Sequence, residues 1–145
     1  MTRMFAPDLL HDKVILITGG GTGLGRAMGE KFLQLGAKVA ITSRREAVLT
    51  AAAAEMMAPH GGEVFPTPCD IRDPEAVDAM IDRVWQHFGR IDVLVNNAAG
   101  NSSAPTERLS HRAVDAVLNI VLHGTFYCTL ALGKRWIAAK HPGRV

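Results

Sequence analysis

The six residues Lys13–Thr18 (KVILIT) run straight into Gly19-Gly20-Gly21-Thr22-Gly23-Leu24-Gly25, and a helical stripe begins where the glycines end. An unbroken apolar run suits a strand covered on both faces. From Leu24 to Leu35 the residues Leu24, Ala27, Met28, Phe32 and Leu35 recur at helical spacing, and Gly36 can close the helix. A strand that passes through glycines into a helix is the first half of a βαβ unit. Glycine permits the tight turn and lets the backbone approach a pyrophosphate closely. A helix starting near Gly23 would aim its unpaired N–H groups and positive dipole end at the phosphates. Arg26 follows Gly25 where a Walker loop would need Gly-Lys-Ser/Thr, so that alternative is set aside. Thr18, Gly19, Gly21, Thr22, Gly23, Leu24 and Gly25 are the first candidates for holding a dinucleotide.

The same alternation continues along the chain. Lys38–Thr42 (KVAIT) reads as a second buried strand, and Glu46–Ala58 as a helix ending at Pro59. Glu63–Thr67 (EVFPT) is a third strand, placed at an edge because of Pro66. Asp73 and Pro74 supply the N-cap and first residue of a helix whose stripe is Val77, Met80, Ile81, Val84, Trp85 and Phe88, stopped by Gly89. Ile91–Asn96 (IDVLVN) is the fourth strand. After a polar loop, His111–Lys140 reads mostly as one long helix with Ser110 as cap, and Arg144–Val145 as the start of another strand. Alternating strands and helices imply an α/β, Rossmann-type doubly wound parallel sheet with helices on both faces. Residues 1–145 are expected to form one such domain, truncated after the fourth strand and the long helix. The fourth strand, central in the usual order, would then expose Val93–Val95 as an unpaired edge.

Composition narrows the function. With 145 residues there is room for one domain that buries about two-thirds of its unfolded surface. A net charge of +2, with no basic block longer than Arg44–Arg45, argues against a nucleic-acid or membrane surface. The apolar runs fall short of the ~20 residues of a membrane span, and the N-terminus lacks a signal-peptide core, so a cytoplasmic protein is expected. Cys69 and Cys128 have no metal-like spacing and read as buried apolar residues, so no metal site is expected. The six histidines are scattered and none is assigned to catalysis, with a small reservation for His123 beside the expected crevice.

The strand ends carry the chemistry. After the second strand, where NAD-binding chains place a carboxylate for the ribose hydroxyls, stand Ser43, Arg44 and Arg45. A carboxylate would repel a 2′-phosphate, whereas a guanidinium pairs with it through two hydrogen bonds. The expected cofactor is therefore NADP(H). After the third strand, Asp70 could accept the adenine amino group while Ile71 packs on the ring. After the fourth come Asn96, Asn97, Ala98, Ala99, Gly100 and Asn101. The small residues leave room for the cofactor, and the amides can hold the loop.

Together these pieces resemble the short-chain dehydrogenase/reductase family, through Thr18-Gly19-xxx-Gly23-x-Gly25, Asp70 and Asn96-Asn97-Ala98 with its following glycine. Within it, the likeness runs toward 2,4-dienoyl-CoA reductases and peroxisomal trans-2-enoyl-CoA reductases. It is carried by GGGTGLG (19–25), Ser43–Arg44, CDIRDP (69–74), NNAAGN (96–101), SAPTERLS (103–110) and VLHGT (121–125). Most of the wider family carries a catalytic Asn three residues before the glycine matching Gly124. Here that position is Val121, a substitution the dienoyl-CoA reductases share.

The resemblance implies an NADPH-dependent reductase of unsaturated fatty acyl-CoA, with a place in fatty acid β-oxidation. Arg44 would bind the adenosine phosphate, Arg72 the coenzyme A, and Ser110 would lie along the acyl channel. Asn101 would act in catalysis by hydrogen-bonding the thioester oxygen, onto which hydride addition pushes negative charge. Ser102 stands where those reductases usually have an aromatic, which removes a packing surface for the acyl chain and leaves a ketone or alcohol substrate as the alternative. The family's Tyr-x-x-x-Lys pair is absent: Tyr127 is followed four residues on by Ala131 and reads as packing. The chain alone is therefore expected to be inactive. A non-catalytic NADP-binding regulatory module is the alternative of another class. The complete protein is expected to be a homotetramer using the long helix.

Overall fold

Alternate residues of the strand Val14–Thr18 (β1) feed two separate cores. Val14 and Leu16 pack into one, Ile15 and Ile17 into the other, and all four are buried. A strand so placed needs helices on both sides, and both layers are present in the computed structural model, which describes residues 4–145. Strands Lys38–Thr42 (β2), Val64–Pro66 (β3) and Val93–Val95 (β4) join β1 in one parallel sheet of order β3-β2-β1-β4. Helices Gly23–Gln34 (α1) and Glu46–His60 (α2) cover the Ile15/Ile17 face with Leu33, Leu49, Ala52 and Met56. Helix Pro74–Phe88 (α3) covers the other with Val77, Met80, Ile81 and Val84. This is the doubly wound α/β arrangement read from the sequence.

The local signals act as their chemistry requires. Asp73 Oδ1 accepts hydrogen bonds from the N–H groups of Glu75 (3.0 Å) and Ala76 (3.3 Å), and Gly89 ends α3 at φ +77°. Pro66 lies on the edge strand β3, where its missing donor costs no ladder bond. The flanking links to β2 come from Thr67 N–H and the Glu63 carbonyl. Helix α2 runs two residues past its expected end, taking Pro59 into its last turn, because the Gly61 N–H still closes on the Met57 carbonyl at 2.8 Å.

The long helix is present as expected, running from His111 to Ala139, with one difference: its two α-helical parts, His111–Leu118 (α4) and Thr125–Ala139 (α5), are joined by one π-helical turn, Asn119–Gly124. The extra residue of such a turn rotates the stripe that follows by about 100°. Cys128, Leu132 and Trp136 thereby face α3, while Leu118, Val121, Phe126, Leu130 and Ile137 stay exposed. By length and composition, His111–Ala139 would suffice to cross a membrane, contrary to the expectation that every apolar stretch is too short. Here its buried flank is part of a core.

β4 is an edge of the sheet, as expected, but one bridge covers part of its outer side. Arg144 bridges to Val93, donating to the Asp92 carbonyl (3.1 Å) and accepting from the Leu94 N–H (2.9 Å). Asp92 fastens this corner. Its carboxylate accepts from the Val14 N–H (2.8 Å), Arg90 Nε (3.1 Å) and the His141 ring at Nε2 (2.8 Å). Burial would raise its pKa, but the Val14 N–H, His141 and Arg90 outweigh that and hold it below the usual range.

Candidate cofactor-binding site

A cavity of about 340 Å³ opens where the carboxyl ends of the strands meet the helix starts. In open α/β sheets this crevice is where ligands bind. Gly19, Gly21 and Thr22 form one wall, Ser43, Arg44 and Arg45 another, and Asp70, Ile71 and Arg72 a third. Asn97, Ala98 and Ala99 close the side next to β1. Residues distant in sequence, chosen for different reasons, thus meet in one space.

The glycine loop is held by Thr18. Its side chain is buried behind the cavity, and its hydroxyl accepts from the N–H groups of Asn97 and Ala98, both at 3.0 Å, while facing the Val95 carbonyl at 3.4 Å. The Asn97 amide returns the link, donating to the carbonyls of Thr18 (3.0 Å) and Gly19 (3.3 Å). Gly25 is buried beneath this knot, where a Cβ would lie 2.4 Å from both the Gly19 oxygen and Asn97 Nδ2. Gly19 itself sits at φ +68°, with no room for a side chain against Ala98.

Helix α1 then begins with its first N–H groups open. Thr22 makes no side-chain cap and the first turn holds no acidic residue, so neither the cap nor the first turn competes with an anion there. Arg44 and Arg45 stand exposed at the start of α2, on the same cavity. The Thr42 hydroxyl in the cavity wall is buried without a hydrogen-bond partner. Glycines without space for a side chain at Gly19 and Gly25, an open helix start, two guanidiniums and an unsatisfied hydroxyl all fit a nicotinamide dinucleotide. Among the described residues no group of His, Cys, Asp or Glu could hold a metal ion.

Asp70 and Arg72 form a fork at the third wall. Asp70 Oδ1 accepts from the Arg72 N–H (3.1 Å) and Nε (2.9 Å), and Oδ2 from Nε (3.1 Å) and Nη2 (2.5 Å). The Arg72 guanidinium holds the Asp70 carboxyl below the usual carboxylate range, with burial opposing and the charge of Arg44 adding to the effect. Beside it, burial pushes the Cys69 thiol up to about 11, so it lines the cavity as a neutral group. Both cysteines are buried and free, as expected.

Other candidates lie elsewhere. Leu24 points to solvent at the helix start, 78% exposed. Asn101, Ser102 and Ser110 are exposed and outside the cavity lining, and the Ser110 hydroxyl caps α4 by accepting from the Ala113 N–H at 3.2 Å. Thr42, Val48, Cys69 and Ile120 also line the cavity and were not singled out from sequence. Val48 could have been found one helical turn past Arg45. Ile120 had no such signal, because the π turn sets its direction. Gly100 leaves space for it: a Cβ there would come within 2.8 Å of Ile120 Cδ1.

With this geometry established, comparisons with known proteins agree. The family model described as short chain dehydrogenase matches residues 13–145. The chain is 48% identical over 132 residues to a probable 2,4-dienoyl-CoA reductase 3, (3E)-enoyl-CoA-producing, of Caenorhabditis elegans, covering 90% of this chain and 43% of that protein. It is 37% identical over 144 residues to the peroxisomal 2,4-dienoyl-CoA reductase, (3E)-enoyl-CoA-producing, of Danio rerio, covering 99% and 48%. A crystal structure of a short chain dehydrogenase from Mycobacterium smegmatis superposes with a TM-score of 0.91 at 32% identity, covering 99% of this chain and 60% of that one. The chain spans about half the length of the relatives it matches.

Proposed function

The chain belongs to the short chain dehydrogenase family, and on that premise we propose that it is the cofactor-binding part of an NADPH-dependent reductase of unsaturated fatty acyl-CoA thioesters. The observation that carries the cofactor reading is the pair Arg44 and Arg45, facing the same cavity as the open start of α1 where a carboxylate would serve NAD. In this reading the loop Gly19–Gly25 and the first N–H groups of α1 hold the diphosphate. Arg44, with Arg45 beside it, pairs with the 2′-phosphate. Asp70 accepts from the adenine amino group and Ile71 packs on its ring.

When bound, the dinucleotide supplies the hydride. Asn101 and Ser102, on the loop after Ala99, flank the acceptor, and the Asn101 amide donates to the thioester oxygen as charge builds there. In the same reading the N–H groups of Arg72 not used by Asp70 meet the phosphates of coenzyme A, and Ser110 borders the acyl chain. The apolar flank of the π turn and α5, with Val121, Phe126 and Leu130 exposed, is where copies of the complete protein would associate. The small Ser102, which leaves an acyl chain without an aromatic packing surface, favours the second reading, a ketone or alcohol substrate. Both readings share the cofactor site.

Calorimetric titration of the chain with NADPH and NADH tests the cofactor reading. NADPH should bind more tightly, and Arg44→Asp should remove that preference while leaving NADH binding nearly unchanged. Equal affinity of the parent chain for both would overturn it. Activity with a 2,4-dienoyl-CoA, set against a ketone panel, separates the two substrate readings in the whole protein.

A further inference from the structure

Four charged side chains line the end of the cavity assigned to the adenosine moiety: Arg44 and its neighbour Arg45, Asp70 and Arg72. A carboxylate here has two possible partners. Asp70 could turn to Arg44, whose charge it feels, or to Arg72. In the structure both of its oxygens are taken by Arg72, through the backbone N–H, Nε and Nη2. Arg44 forms no ion pair among the described residues.

The charge balance matters because a 2′-phosphate is a second anion brought to the same spot. An uncovered carboxylate would act against it twice, by direct repulsion and by drawing Arg44 away. An unphosphorylated ribose carries no charge and would be nearly indifferent. We propose that Arg72 is a specificity-determining residue for the phosphorylated dinucleotide: by occupying both oxygens of Asp70 it cancels a competing anion and leaves Arg44 to the 2′-phosphate. The proposal rests on the reading that Arg44 meets that phosphate. It gives Arg72 a role apart from contact with an acyl-CoA, since it operates with no acyl substrate present.

The test is the ratio of NADH to NADPH dissociation constants, measured by calorimetry on the chain at low salt for the parent and four variants. Taking the ratio cancels the adenine contact that both ligands share. Arg72→Met should weaken NADPH about fivefold and NADH by less than about twofold, the size expected of a partly exposed charge pair. Asp70→Asn combined with Arg72→Met should restore the parent ratio to within about twofold, because the anion being cancelled is gone. Arg72→Lys keeps the charge and should preserve most of the ratio even if the fork is lost. The proposal is overturned if Arg72→Met weakens both ligands equally, if the double variant fails to recover, or if Arg72→Lys behaves as Arg72→Met does. Arg44→Asp reports separately on the underlying reading: if it leaves the ratio unchanged, the 2′-phosphate is not at Arg44 and that premise fails first.

Discussion

Replacing Thr18 by valine isolates the bond that ties the glycine loop to the loop after β4. Valine matches threonine in shape, so no cavity opens at a site only 1% exposed. What disappears is the acceptor for two N–H groups, those of Asn97 and Ala98 at 3.0 Å, and a weaker interaction with the Val95 carbonyl at 3.4 Å. A buried donor left without a partner costs about 1–3 kcal/mol. These two are only partly buried, so the lower figure applies to each and the loss is about 2 kcal/mol. For a chain of this length that lowers Tm by roughly 8 °C. Thr18→Ser keeps the hydroxyl and deletes one methyl, a loss of about 0.8 kcal/mol, or roughly 3 °C. Circular-dichroism melts of both variants separate the hydroxyl from the methyl, and NADPH titration should show Thr18→Val as the weaker binder because the Asn97 side loosens. A Thr18→Ser protein that melts at or below Thr18→Val would refute the reasoning, since the methyl would then matter more than the acceptor.

Gly25→Ala should cost about 3 kcal/mol and abolish tight dinucleotide binding, because its Cβ would lie 2.4 Å from a backbone carbonyl, that of Gly19, which cannot swing aside; a melt within 2 °C (~0.5 kcal/mol) of the parent would contradict the close packing. The lowered pKa of Asp92 gives an acid signature. Its stabilisation is fully present above the ordinary carboxylate value of 3.8 and is lost as pH falls through the depressed native value. Urea melts from pH 6 to 2 (~4 pH units around that range) should therefore steepen below that point in the parent and flatten in Asp92→Asn, and parallel curves would rule the linkage out.

Much of the fold is legible because its signals are local. Whether Val14–Thr18 is a two-sided strand, whether Gly23 opens a helix, and whether Asp73-Pro74 starts one depend on a few neighbouring residues. The candidate dinucleotide residues come from the same source, since strand ends and helix starts are marked in sequence. The direction of each side chain is less accessible. Leu24 belongs to the right loop and faces solvent, while Ile120 belongs to no recognisable motif and faces the cavity. A π turn adds one residue to a helix whose composition looks uniform, and sequence periodicity cannot locate it when apolar residues crowd both flanks.

The pairings are illegible for a related reason. Thr18 and Asn97 are 79 residues apart, Val14 and Asp92 78, and Asp92 and His141 49. In each case the sequence supplies a polar group at the margin of an apolar run, and only the tertiary packing, the parallel register for the first two and the docking of α5 for the third, decides which one it meets. Asp70 and Arg72 are the informative exception, being two residues apart and still not recognisable from sequence as a pair. Sequence offers each of them an external partner, adenine for one and coenzyme A for the other. The short Asx-type link from the Arg72 N–H to Asp70 Oδ1 folds the arginine back onto the acid before any ligand arrives. A charge assigned from sequence to a ligand has first to be weighed against the nearest opposite charge in its own turn, and at this site that charge is two residues away.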